Sequence, residues 1–219
     1  MSGRPAAPAA PGARAPAENH AASARRELVD TVCGALTKAG DPERAAGQQR
    51  YMKSALPFHG LTTPQLRATL RPILDNPAYR MEDRPQWEAT VRALWDGATH
   101  REQRYAATAL AGHRHYRPWQ DTETLGLYRH LAVTGAWWDH VDDIASHLVG
   151  PILRADPDRV APVLRRWAEA DDMWLRRTAI LAQLGSKAGT DSRLLADCIT
   201  ANLAGSRFGA EFFVRKAIG

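Results

Sequence analysis

From Arg25 onward the apolar residues recur at helical spacing, and a period-two alternation is never sustained. A chain patterned this way gives no strand a face to bury, so the prediction is an all-α fold. RRELVDTVCGALTKAG sets Leu28, Val32, Ala35 and Leu36 along one face and stops at Gly40, after which Asp41 and Pro42 read as an N-cap and a first-turn proline. RPQWEATVRALWDGA places Trp87, Val91, Leu94 and Trp95 together in the same way. Gly, Pro and Asp punctuate the later segments at short intervals, as helix hairpins require.

Residues 1–24 contain ten Ala and four Pro and almost nothing large and apolar, so they predict a disordered tail preceding one helical domain over residues 25–219. No apolar run approaches the length of a membrane span, and the N-terminus has no apolar signal core. Two cysteines, Cys33 and Cys198, make neither a disulfide framework nor a thiolate zinc site, and a reducing cytoplasm is the expected compartment. His113, His115, His140 and His147 lack the spacing and carboxylate company of a helical metal site, so no metal or cofactor is expected. The net charge of +5 is compatible with a polyanionic partner and does not single one out.

The later helices look paired, an apolar helix leading and one mixing aromatic and charged residues following. Aligning the second members sets Asp142, Arg177 and Lys216 at equivalent positions, with Trp138, Met173 and Phe212 one turn earlier, at the roughly 40-residue period of two-helix repeats. Stacked pairs make a curved solenoid of HEAT-like units with a basic concave groove. Trp138 and Asp142, four apart, share a helix face: an indole over a carboxylate. Taken alone, that pattern is more commonly a core aromatic beside a solvated charge. The adjacent Trp137, turned by about 100°, belongs in the core. Arg176, Arg177, Lys187, Arg193, Arg207, Arg215 and Lys216 supply cations suited to phosphate, although a solvated face explains any one of them equally well. A carboxylate inside a phosphate-facing groove repels the backbone, and makes sense where a positive charge has to be stabilised.

In order, RYMKSALPFHGLTTPQLR, WWDHVDDIA, MWLRRTAILAQL and EFFVRKAIG resemble the AlkD-type DNA alkylation-repair glycosylases over the whole chain from Arg25. The resemblance implies a monomeric, metal-free α-solenoid without cofactors. It would cup duplex DNA and hydrolyse the N-glycosidic bond of N3- or N7-alkylated purines without flipping the base, in excision repair or in self-protection against an alkylating metabolite. It also assigns roles: Asp142 as the catalytic carboxylate, Trp138 as an aromatic wall against the deoxyribose, and Arg177 on the DNA backbone. Tyr51 would lie near the lesion. Lys53, Thr62, Arg176, Lys187, Arg215 and Lys216 are further expected DNA contacts, with Lys53 read as structural rather than catalytic. Thr62 stands where a family member carries Gln, which shortens the reach to the opposite strand. The family run FFVRKAIG continues elsewhere into a second aromatic wall, whereas this sequence ends at Gly219, so the expectation is either a C-terminally truncated chain or a protein that lacks that wall and its capping repeat. The competing reading is a non-catalytic repeat scaffold that binds DNA or protein.

Overall fold

The computed structural model describes residues 24–219, and the stretch expected to be a disordered tail lies, up to residue 23, outside them. Twelve α-helices follow one another among the described residues, with no strand. They are α1 (Arg26–Lys38), α2 (Pro42–Met52), α3 (Thr63–Leu74), α4 (Arg84–Asp96), α5 (Arg101–Ala111) and α6 (Leu125–Gly135). Then come α7 (Trp138–Asp143), α8 (Gly150–Ala155), α9 (Pro157–Ala168), α10 (Met173–Leu181), α11 (Ser192–Thr200) and α12 (Phe212–Ile218).

Local sequence sets most of these boundaries. Asp41, Asp83, Asp156, Asp172 and Asp191 each accept a first-turn backbone N–H, capping α2, α4, α9, α10 and α11. Each such cap stabilises its helix by about 1 kcal/mol. Helix α1 packs on α3, α4 on α5, α6 on α7 and α9 on α10, while α12 rests on α10. The resulting architecture is an α-solenoid, as the sequence predicts. The apolar stripe read in α4 is its buried face: Trp87, Val91 and Trp95 are fully covered and Leu94 nearly so.

The segment WWDHVDDIASHLVGPILR, predicted as plain helix, contains a π-helical stretch, Ile144–Val149, that joins α7 to α8. Pro151 explains it: proline has no N–H to donate, and its ring collides with the carbonyl four residues back in a regular α-helix. Gly150 lies at the same joint because a Cβ there would meet the Ala182 carbonyl oxygen at 2.5 Å. The α7–α8 rod therefore packs backbone against the end of α10, which fixes the helix bearing Trp138 and Asp142.

Candidate active site

The second helices of the repeats begin at Thr63, Arg101, Trp138, Met173 and Phe212, separated by 38, 37, 35 and 39 residues. Their fifth residues are Arg67, Tyr105, Asp142, Arg177 and Lys216, so the register read from three helices extends to five. A cleft of about 790 Å³ is lined from α3, α5 and α7 with its π turn, and by no residue of α4 or α6. Three of the second helices, α3, α5 and α7, therefore share the side of this cleft.

Asp142 and Arg177 meet across adjacent repeats in a bidentate pair, Nε to Oδ1 at 2.7 Å and Nη2 to Oδ2 at 2.8 Å. The remaining guanidinium nitrogen Nη1 donates to the Phe213 carbonyl oxygen at the start of α12. The Arg177 side chain is 8% exposed and that of Asp142 is 32% exposed. The pair is thus a dipole with its negative end outward. Behind it, Trp137, Trp174 and Phe213 cluster with ring centroids 5.1–6.2 Å apart. Trp137 sits just before α7 in extended backbone, which turns its indole toward α10 and α12 rather than into the central core. Trp138 is half-buried, and its indole makes no ring contact or hydrogen bond among the described residues. It is free to meet a ligand one turn before Asp142.

Two arginines depart from expectation. Arg177 gives three of its N–H donors to Asp142 and Phe213 and its side chain is only 8% exposed, so it positions the carboxylate rather than reaching outward to a phosphate. Arg176 is buried too, donating to the carbonyls of Ala170 (2.6 Å) and Glu169 (2.9 Å) and, more distantly, to Asn202. It ties the end of α9 to α10 and is buried away from the surface. The sequence misleads here because one of two adjacent arginines on an amphipathic helix normally reaches solvent. In α10 neighbouring helices cover both, and carbonyl and carboxylate acceptors satisfy them. Tyr51 is 78% exposed. Lys53 is exposed in a left-handed conformation at the end of α2. Thr62 caps α3 in a reciprocal box with Gln65. Lys187 lies exposed in the turn after α10, and Arg215 and Lys216 are exposed on α12.

One group of residues went unread in the sequence. Arg101, buried at the start of α5, grips Asp139 through Nη2 and Nε; the Tyr105 hydroxyl donates to the same carboxylate at 2.6 Å. Arg101 also donates to Ser54 Oγ at 3.3 Å, which ties the loop after Lys53 to the helix of Trp138 and Asp142. Burial opposes the charge on Asp139, but His140, Tyr105 and Arg101 outweigh it and hold its carboxyl below the usual carboxylate value. Of these, Arg101 is the cation at neutral pH, because burial pushes His140 down to about 3. Burial also raises the Tyr105 hydroxyl above its ordinary value, assisted by Asp139, so it stays a donor. The next residue, Glu102, is 1% exposed and accepts the backbone N–H groups of His59 (2.9 Å), Gly60 (2.8 Å) and Leu61 (3.2 Å). Gly60 makes that turn possible: its φ is +94° and a Cβ would lie 2.0 Å from the Asp41 carbonyl oxygen. The dipeptide Arg101–Glu102 therefore anchors both the loop before α3 and the helix of the carboxylate. Counting one repeat back from Trp138 would have reached it.

Residues 33–219 match the family of DNA alkylation repair enzymes. The chain belongs to that family. Membership carries a role in the repair of alkylated DNA, with DNA as the partner. The fold of this family member is similar to that of a predicted DNA alkylation repair enzyme from Enterococcus faecalis. The TM-score is 0.67 and the identity 25%, over 81% of this chain and 79% of the other. No curated protein sequence matches the chain. Among the described residues of this repair-family chain, no cluster of three or more His, Cys, Asp or Glu could hold a metal, and no helix is long and apolar enough to cross a membrane.

Proposed function

We propose that the protein is a monofunctional DNA glycosylase that hydrolyses the N-glycosidic bond of cationic N3- or N7-alkylated purines in duplex DNA. The observation that carries this reading is the Asp142 carboxylate, oriented through both oxygens by buried Arg177 and left exposed at its outer edge beside the free indole of Trp138. Alkylation at N3 or N7 makes the purine a cationic leaving group. As its bond to the deoxyribose breaks, the electron pair leaves with the base and positive charge develops on the sugar. A fixed carboxylate and the face of an indole both stabilise that charge. Asp142 then orients water, whose oxygen bonds the anomeric carbon while its proton departs, leaving an abasic site.

Arg177 acts through Asp142. Being the buried partner, it leaves the negative end of the pair nearest the sugar and removes the freedom that a lone carboxylate would have to lose. In this reading the lesion stays in the stack, so the site needs no deep base pocket. Unmodified purines leave too poorly to profit, so lability of the lesion supplies much of the selectivity.

The test is incubation of the protein with duplex DNA containing 7-methylguanine. Free base should appear, and Asp142→Asn should slow its release by a factor on the order of 10²–10³, the range for losing one preorganised electrostatic group, while duplex affinity is kept. Lesion binding without base release by the parent protein would instead identify a DNA-binding scaffold. In that scaffold the Asp142–Arg177 pair would serve only as a staple between repeats.

A further inference from the structure

The arginines at the middle of the concave face are spoken for. Arg101 is held by Asp139, and Arg177 by Asp142 and Phe213. Free positive charge is found toward the ends of the face, where α12 carries exposed Arg215 and Lys216. At the other end, α3 carries two arginines that no role above uses. Arg67 is exposed and makes no hydrogen bond or ion pair among the described residues. Arg71, one turn on, is 85% exposed, and its Nε lies 3.8 Å from Asp75. That carboxylate is shared with Arg114 at 2.8 Å and His113 at 3.4 Å.

Both arginines line the cleft between α3, α5 and α7. The carboxylates on its opposite wall have partners: Asp139 is bound by Arg101 and Tyr105, and Asp143 by His147 at 2.9 Å. Cationic forks therefore stand on one wall, with paired acids facing them. We propose that Arg67 and Arg71 bind backbone phosphates of the DNA duplex, forming a contact site on α3. Residues four apart on a helix have Cβ atoms about 5–6 Å from each other, so the two guanidinium groups reach neighbouring phosphates of one strand. Helix α3 comes two second helices before α7 in the repeat order, and Arg67 and Arg71 face the α7 wall across the cleft.

The inference rests on the DNA-repair reading, and its test separates the two. Affinity for an undamaged duplex is measured by fluorescence anisotropy between 50 and 200 mM salt, for the parent protein and for the double variant Arg67→Gln/Arg71→Gln. Each phosphate contact contributes about 0.9 to the log–log salt slope. The double variant should therefore lose about 1.8 of slope and bind about 60-fold more weakly at 0.1 M salt. Arg67→Lys/Arg71→Lys should keep most of the slope, because lysine retains the charge. Arg159→Gln/Arg166→Gln, which removes the same charge from exposed positions on α9, should leave the slope unchanged. A parental slope in Arg67→Gln/Arg71→Gln, or an equal loss in the α9 pair, overturns the proposal. A parent protein that releases 7-methylguanine while the α3 variant keeps its full slope overturns this inference alone. A parent protein with no salt-sensitive duplex affinity overturns both readings.

Discussion

Replacing Glu102 by glutamine tests whether one buried carboxylate holds the approach to α3. In the parent, Oε2 accepts from His59 N–H and Oε1 from Gly60 and Leu61, all inside a site that is 1% exposed. The amide of Gln can present only one oxygen, so its NH₂ must confront one of these N–H groups. With that oxygen at the Oε1 position, Gly60 and Leu61 keep their acceptor and His59 loses its own. A buried donor left unpaired costs about 1–3 kcal/mol, and the two surviving bonds fall from charge-assisted to neutral strength, about 1 kcal/mol each. Relief of the buried charge offsets part of this, leaving a net loss of about 3 kcal/mol. For a chain of this size that corresponds to a drop in Tm of about 6–12 °C. Urea and thermal unfolding at pH 7 would measure it. Because residues 59–61 lead into the cap of α3, the variant should also weaken duplex binding. A stability loss under about 1 kcal/mol would refute the reasoning, since it would mean that these N–H groups find other acceptors.

Arg177→Ala should slow base release while leaving the salt slope of duplex binding unchanged, because its donors are engaged inside the protein; a reduced slope would return it to the phosphate contacts. Trp138→Ala should lower the rate on 7-methylguanine by about tenfold, the loss of about 1–2 kcal/mol of cation–π stabilisation, with little change in Tm because the indole has no ring partner; a large Tm loss would make it a packing residue. His140 is buried with neither ring nitrogen hydrogen-bonded and is held neutral down to about pH 3. Its folded pKa lies below the unfolded value, so its contribution is complete above about pH 6.5 and falls as acid protonates the unfolded chain. The loss is about 2 kcal/mol by pH 5. His140→Phe should therefore gain stability relative to the parent between pH 7.5 and pH 5. Parallel urea midpoints across that range would contradict this.

The sequence alone determined the all-helical fold, most helix starts and the repeat register, because these depend on local chemistry. Apolar spacing defined the buried face of α4, aspartates supplied the caps, and Trp138 and Asp142 stood out as an indole and a carboxylate one turn apart. Partners 34–47 residues away belong to the tertiary structure. The folding of α9 against α10 within one repeat seals Arg176 among carbonyls. Only the packing of one repeat on the next decided that Arg177 spends its fork on Asp142. It likewise decided that Arg101 and Glu102 tie two distant segments together and that Arg67 is left unpaired. A charged side chain carries the same formula wherever it stands. Its role follows from which opposite charges and carbonyls lie within about 3 Å, and in a solenoid the neighbouring repeat supplies them.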